Sequence, residues 1–145
     1  MSLARLIDGL RRIGDCLAHA ESTVAHRVAE LAAPGISSLI DSQFDTGTGP
    51  AGPWAPLSPR TLRKHGPPPL TDTGAMRASL RATPGSRGPH GTVTVRFSPR
   101  YTRFHQTGTR HMPRRLLVPR AGLPSAWREV LRRASEQATR EAGRP

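Results

Sequence analysis

The chain has 145 residues, enough for one ordinary domain with its own core and too few for two comfortable ones. Hydrophobic residues make up only 35%, and 14 glycines and 15 prolines interrupt them. That composition predicts a modest core threaded with long loops and completed in part by neighbouring subunits. The formal charge of +12 excludes an acidic chain and directs attention to polyanions or acidic protein surfaces.

Taken in order, residues 2–33 read as helix, with Leu3, Leu6, Ile7, Leu10, Ile13 and Leu17 at helical spacing and Val24, Val28 and Leu31 continuing the stripe. Pro34-Gly35 predicts a break, with a second helix opening at the proline and carrying Ile36, Leu39, Ile40 and Phe44 on one face. Residues 46–53, TGTGPAGP, read as a loop, and Trp54 and Leu57 follow as isolated anchors. Ser58-Pro59 predicts a capped short helix through Lys64, ended by Gly66 and the stiff run Pro67-Pro68-Pro69. Thr71-Asp72-Thr73 precedes a helical stretch over 74–82 with Met76 and Leu80 on one face. Residues 84–91 read as turn.

Thr92 to Phe97 alternates cleanly and predicts a strand with Val93, Val95 and Phe97 on one side. Tyr101 to His105 reads as a helical turn or a short strand. Residues 115–118 predict a second strand, stopped by Pro119. Residues 124–142 close the chain as a helix with Trp127, Val130, Leu131, Ala134 and Ala138 as its buried stripe. The expected fold is therefore α+β: N-terminal helices, a small antiparallel sheet, a C-terminal helix and long Pro/Gly-rich loops. A single domain over 1–145 is expected, helical over 1–45, basic over 46–123 and closed by the helix at 124–142.

The charge is unevenly placed. Residues 1–45 hold four basic and six acidic side chains, a net of −2; residues 46–123 hold thirteen basic residues against Asp72 alone, a net of +12; residues 124–145 hold five and three, a net of +2. The basic middle suits either duplex DNA or pairing between subunits. Arg in place of Lys, among many Ala, Gly and Pro, is also the composition of a GC-rich genome. No apolar run approaches the about 20 residues that cross a bilayer, and the N-terminus is not a secretory signal, so a cytosol-like compartment and no membrane are expected. Cys16 excludes an intrachain disulfide and reads as a half-buried small hydrophobe.

Chemistry finds little support. Asp72-Thr73-Gly74 and Asp45-Thr46-Gly47 each match the three-residue signature of aspartic proteases, but one opens an expected helix and the other ends one, where capping explains the aspartate. His105 and His111, or His19 and His26, lack a Cys or carboxylate at metal-ligand spacing. No nucleophile elbow, phosphate loop, zinc finger or base-stacking platform is present. No cofactor, metal, small-molecule substrate or enzymatic activity is expected.

An ordered set of motifs carries a resemblance. Gly52-Pro53-Trp54-Ala55-Pro56-Leu57-Ser58 follows Phe44 and a glycine-rich loop, with Thr61 and Lys64 behind it. Next come Leu70, Thr73-Gly74, Met76-Arg77 and Ser79-Leu80, then the alternating strand, then Tyr101, His105-Gln106-Thr107-Gly108 and Pro113-Arg114-Arg115-Leu116-Leu117. Over about residues 36–118 this resembles the phage virion-morphogenesis family of tail-completion, minor tail and neck proteins. Thr109 and Leu116 stand where that family more often has a glycine and an aromatic residue.

The resemblance implies a non-enzymatic structural subunit of a tailed-phage or phage-derived particle. It would form a ring of about six copies at the head–tail junction or tail end. Its partners would be copies of itself and neighbouring tail, neck or connector proteins, with assembly in the bacterial cytoplasm and residence in the virion. The residues expected at contacts are Trp54, Leu57, Arg60, Arg63, Lys64, Tyr101, His105, Gln106, Arg114 and Arg115. Trp54 fits equally a neighbour's pocket and this chain's own core. Tyr101, His105 and Gln106 read as a buried polar tether. The other reading is a standalone basic accessory protein that binds DNA.

Overall fold

A computed structural model describes residues 3–66, 69–70 and 73–144; within the first helix, side chains are described at Asp15 and from Ala18 on. The apolar stripe expected at Leu3 to Leu17, the burial of Cys16, and Pro67, Pro68, Thr71 and Asp72 lie outside the described residues.

The expected break at Pro34 does not occur. One helix, α1, runs Leu3–Thr46 with Pro34 inside it. An interior proline removes one backbone hydrogen bond and costs about 3 kcal/mol. Pro34 itself is exposed, while Ala32, Ala33, Ile36, Ile40 and Phe44 are buried on both sides of it. Each large apolar side chain so buried contributes about 1.5–3 kcal/mol, so the shared core outweighs the local defect.

That core is completed by α5, Ser125–Ala142, which runs antiparallel to α1: Arg27 bonds Glu141 at 2.8 Å near one end, and Gly35 faces Val130 farther along. A Cβ at Gly35 would stand 2.7 Å from a Val130 methyl, so the missing side chain sets how closely the helices approach. Trp127, Ala134 and Ala138 are buried and Val130 and Leu131 pack beside them, the stripe expected for this helix.

Between the two long helices lies a mixed middle. β1 (Thr48–Gly49) and β2 (Gly52–Pro53) make a minimal hairpin within the expected loop. α2 (Pro59–His65) starts as expected, with Ser58 Oγ accepting from the Thr61 amide at 3.2 Å. α3 is shorter than the expected helix over 74–82 and covers only Ala75–Ala78; Met76 and Leu80 are nonetheless both buried.

The chain then enters β3, Arg81–Arg87, where the sequence reads as helix end and turn. It pairs antiparallel with β4, His90–Arg96, in a seven-pair register from Arg81–Arg96 to Arg87–His90. Pro84 and Gly85 disguise β3, but a two-stranded ribbon leaves each strand an open edge where a residue without an N–H is tolerated. Val93, Val95 and Phe97 pack on the core as expected. Gly91 sits against the Ala25 carbonyl of α1, leaving no room for a side chain.

α4, Thr102–Thr107, resolves the open reading there in favour of helix. Residues 115–118, expected as a strand, join no ladder. Beyond the Arg115 amide, which donates to the His105 carbonyl, their backbone is held by side chains: Gln106 Oε1 accepts from the Leu117 and Val118 amides at 2.9 and 3.3 Å, and Gln106 Nε2 donates to the Val118 carbonyl at 2.7 Å. The architecture is α+β with helices at both ends of the chain and two small antiparallel sheets.

Candidate functional site

The motifs scattered along the middle of the chain meet around one cavity of about 780 Å³. Its walls include Leu57, Met76, Tyr101, His105, Met112 and Arg115, with Ser58, Thr73 and Gly74 also on the lining. The proline-framed loop, α3, α4 and the segment after α4 each contribute one side.

Three side chains hold these pieces in place. Trp54, 8% exposed, packs edge-on against Phe44 with centroids 6.0 Å apart and donates its indole N–H to the Leu116 carbonyl at 2.9 Å. Trp54 thus sits in this chain's own core, one of the two placements that its sequence left open. Arg115, 4% exposed, donates from Nε to the Ala55 carbonyl at 3.0 Å and from Nη2 to the Pro56 carbonyl at 3.2 Å. Burial lowers its pKa, and its charge has no carboxylate partner among the described residues. Gln106, the third, ties α4 to residues 117–118.

His105 is half-buried beside Arg115; its carbonyl accepts the Arg115 amide at 2.7 Å and its ring meets Tyr101 edge-on at 6.1 Å. Its buried Nδ1 has no partner among the described residues. Burial first, and the Arg115 charge second, push the imidazole pKa down. A histidine held neutral in the fold titrates higher when unfolded, so stability is full above the ordinary histidine range and falls as pH drops through it. His105→Gln should therefore flatten the fall in melting temperature between about pH 7 and 5. An unchanged slope across that range would contradict the assignment.

The remaining expected contact residues divide by position. Arg60, Arg63 and Lys64 are exposed on α2, and Arg114 is exposed beside the cavity rim. Leu57 is half-buried and Tyr101 is 44% exposed at the mouth. The tether reading fits Gln106 and leaves Tyr101 largely on the surface. Nothing in the sequence marks Met76 and Met112 as cavity residues, because a methionine at helical or loop spacing signals no more than core packing.

One charge cluster was also illegible. Arg77 reaches Asp41 at 2.7 Å and Asp45 at 2.5 Å, so two acids of the N-terminal helix are paired within the chain. The Arg77 hydrogen bond lowers the Asp41 pKa. Asp45 therefore ends a helix and meets an arginine, unlike a protease aspartate.

Among the described residues the cavity lining contains no carboxylate, and Ser58 Oγ is committed to its cap and to Thr61 Oγ1 at 2.8 Å. Among the described residues no group of three or more His, Cys, Asp or Glu is placed to hold a metal, and no helix is long and apolar enough to cross a membrane. The described lining offers shape, apolar walls, one buried cation and the imidazoles of His65, His105 and His111. Comparison with protein-family models, with curated proteins and with solved structures finds no match to this chain.

Proposed function

We propose that this chain is a non-enzymatic structural subunit of a tailed-phage or phage-derived particle, a tail-completion or neck protein that assembles into a ring. The observation that carries the reading is the ordered motif set, whose separated members, Pro56-Leu57-Ser58, Thr73-Gly74, Tyr101, His105 and Arg115, share one cavity. Residues that must meet in space to be useful are better explained by a retained assembly than by chance matches to short patterns. The described lining has no carboxylate and its Ser58 hydroxyl is engaged in a helix cap, which supports a reading of contact.

Ring closure requires a heterologous interface, in which one face of the subunit meets a different face of the next. The exposed cations of α2 suit such a face, with Asp15 and Glu21 of a neighbour's α1, the described acids of that helix without an ion pair among the described residues, as their counterpart. Arg60→Glu with Arg63→Glu should lower the fraction of chain in rings, read by light scattering after size exclusion and by negative-stain images. Rings of normal abundance from that variant would remove α2 from the interface. Tailed particles assembled intact without this chain would overturn the role as a whole.

A further inference from the structure

The β3–β4 ribbon has two faces of opposite character. Its inner face carries Ala82, Val93 and Val95 toward α1. The register sets Arg81 opposite Arg96, Thr83 opposite Thr94, Gly85 opposite Thr92 and Arg87 opposite His90 on the other face. Arg81, Thr83, Arg87, His90, Thr94 and Arg96 are all exposed there. That face holds cations and hydroxyls and no acid.

Two features make this more than a solvated strand surface. Arg81 and Arg96 are directly opposed, and like charges in that position destabilise a sheet. No carboxylate among the described residues pairs with Arg81, Arg87 or Arg96; Arg81 turns one nitrogen back to the Ala78 and Leu80 carbonyls, at 3.0 and 2.7 Å. Of the α1 acids, Asp41 and Asp45 are taken by Arg77, and Glu21 lies beside the inner-face residues Gly91 and Val93.

We infer that the outer face of the β3–β4 ribbon is a binding surface for the phosphate backbone of duplex nucleic acid. A two-stranded ribbon fits the major groove, about 12 Å wide. Same-face residues recur every ~6.6 Å along each strand, so one ribbon presents three guanidiniums and several hydroxyls in two parallel rows. The face has no Asn or Gln to read adenine edges, and its arginines are assigned to phosphates, which a random-sequence duplex and its salt dependence read out. The surface belongs to the single chain and does not depend on ring assembly.

The test is binding of the full chain to a random-sequence duplex, by fluorescence anisotropy over a salt series. Arg81→Gln, Arg87→Gln and Arg96→Gln together are compared with an equal charge reduction near the C-terminal end, Arg128→Gln, Arg140→Gln and Arg144→Gln. The ribbon variant should make log K against log salt shallower by about 2 to 3, at roughly 0.9 for each phosphate no longer neutralised, with the C-terminal variant changing little. Its melting temperature should hold or rise, because an opposed like-charge pair has gone. Arg87→Gln alone should remove about one unit of slope, which keeps the test sound if the triple variant folds poorly. Equal weakening from both triple variants would reduce the effect to net charge and overturn the site, as would no duplex binding by the parent at low salt. A ribbon variant that no longer binds polyglutamate but binds duplex as the parent does would assign the surface to an acidic protein and overturn it as well.

Discussion

Trp54→Ala should destabilise the protein by about 3–5 kcal/mol, the range for truncating a buried aromatic side chain. The indole fills space between α1 and the segment around Leu116, touches Phe44 edge-on, and satisfies the Leu116 carbonyl. Its removal opens a cavity and strands a buried acceptor at once. Domains of this size have total stabilities of about 5–15 kcal/mol, so much of the margin disappears. Trp54→Phe separates the two effects. It keeps most of the aromatic volume, removes the N–H, and should cost about 1–3 kcal/mol. Urea unfolding followed by circular dichroism reads both. Near-equal stability of Trp54→Ala and the parent would mean that the loop carrying Trp54 is not docked in the core.

Gln106→Leu should cost about 3 kcal/mol, from three hydrogen bonds at about 1 kcal/mol each, offset only in part by apolar gain. The consequence is local before it is global. Residues 115–118 belong to no ladder, so the Gln106 amide is the main clamp on the Leu117 and Val118 backbone. Hydrogen exchange at the Leu117 and Val118 amides should therefore speed up by more than exchange in α5. Equal acceleration everywhere would show that the segment opens only with the whole protein. Because Arg115 borders the cavity beside this clamp, loosening it should also disturb the cavity mouth at Tyr101.

Acid should weaken the surface ion pairs in a defined order. Glu129 is pulled down to about 2 by hydrogen bonds from Arg132 and Arg133, and Asp41 is lowered by Arg77. Carboxylates depressed in the fold contribute fully above their unfolded range and lose that contribution as pH falls through the folded values. The Glu129 contribution therefore disappears between about pH 4.5 and 2, below the window in which His105 acts. These pairs are exposed and salt-screened, so the histidine step should dominate near neutrality.

Ser58-Pro59 identified a helix start because hydroxyl capping and proline at the first turn are local effects. The α5 stripe and the Val93–Phe97 alternation were legible because a repeated apolar spacing allows one buried face. Arg115 gave no comparable sign. Its neighbour Arg114 has the same side chain and is exposed, and only the carbonyls of Ala55 and Pro56, about sixty residues earlier, distinguish them. Trp54 likewise suited a neighbour's pocket or this core equally until Leu116 and Phe44 stood beside it.

By itself the sequence determined the class of fold, the terminal helices, the capped turn at Ser58, the inward face of β4 and the concentration of arginine in the middle. Each follows from neighbours along the chain or from a simple count. Only the tertiary structure decided that α1 passes through Pro34, that β3 exists, that residues 115–118 are clamped by Gln106, and that Arg81 opposes Arg96. Those outcomes depend on long-range burial, on an open strand edge and on side-chain hydrogen bonds. Local propensity opposed the first two, read the third as a strand and was silent on the last.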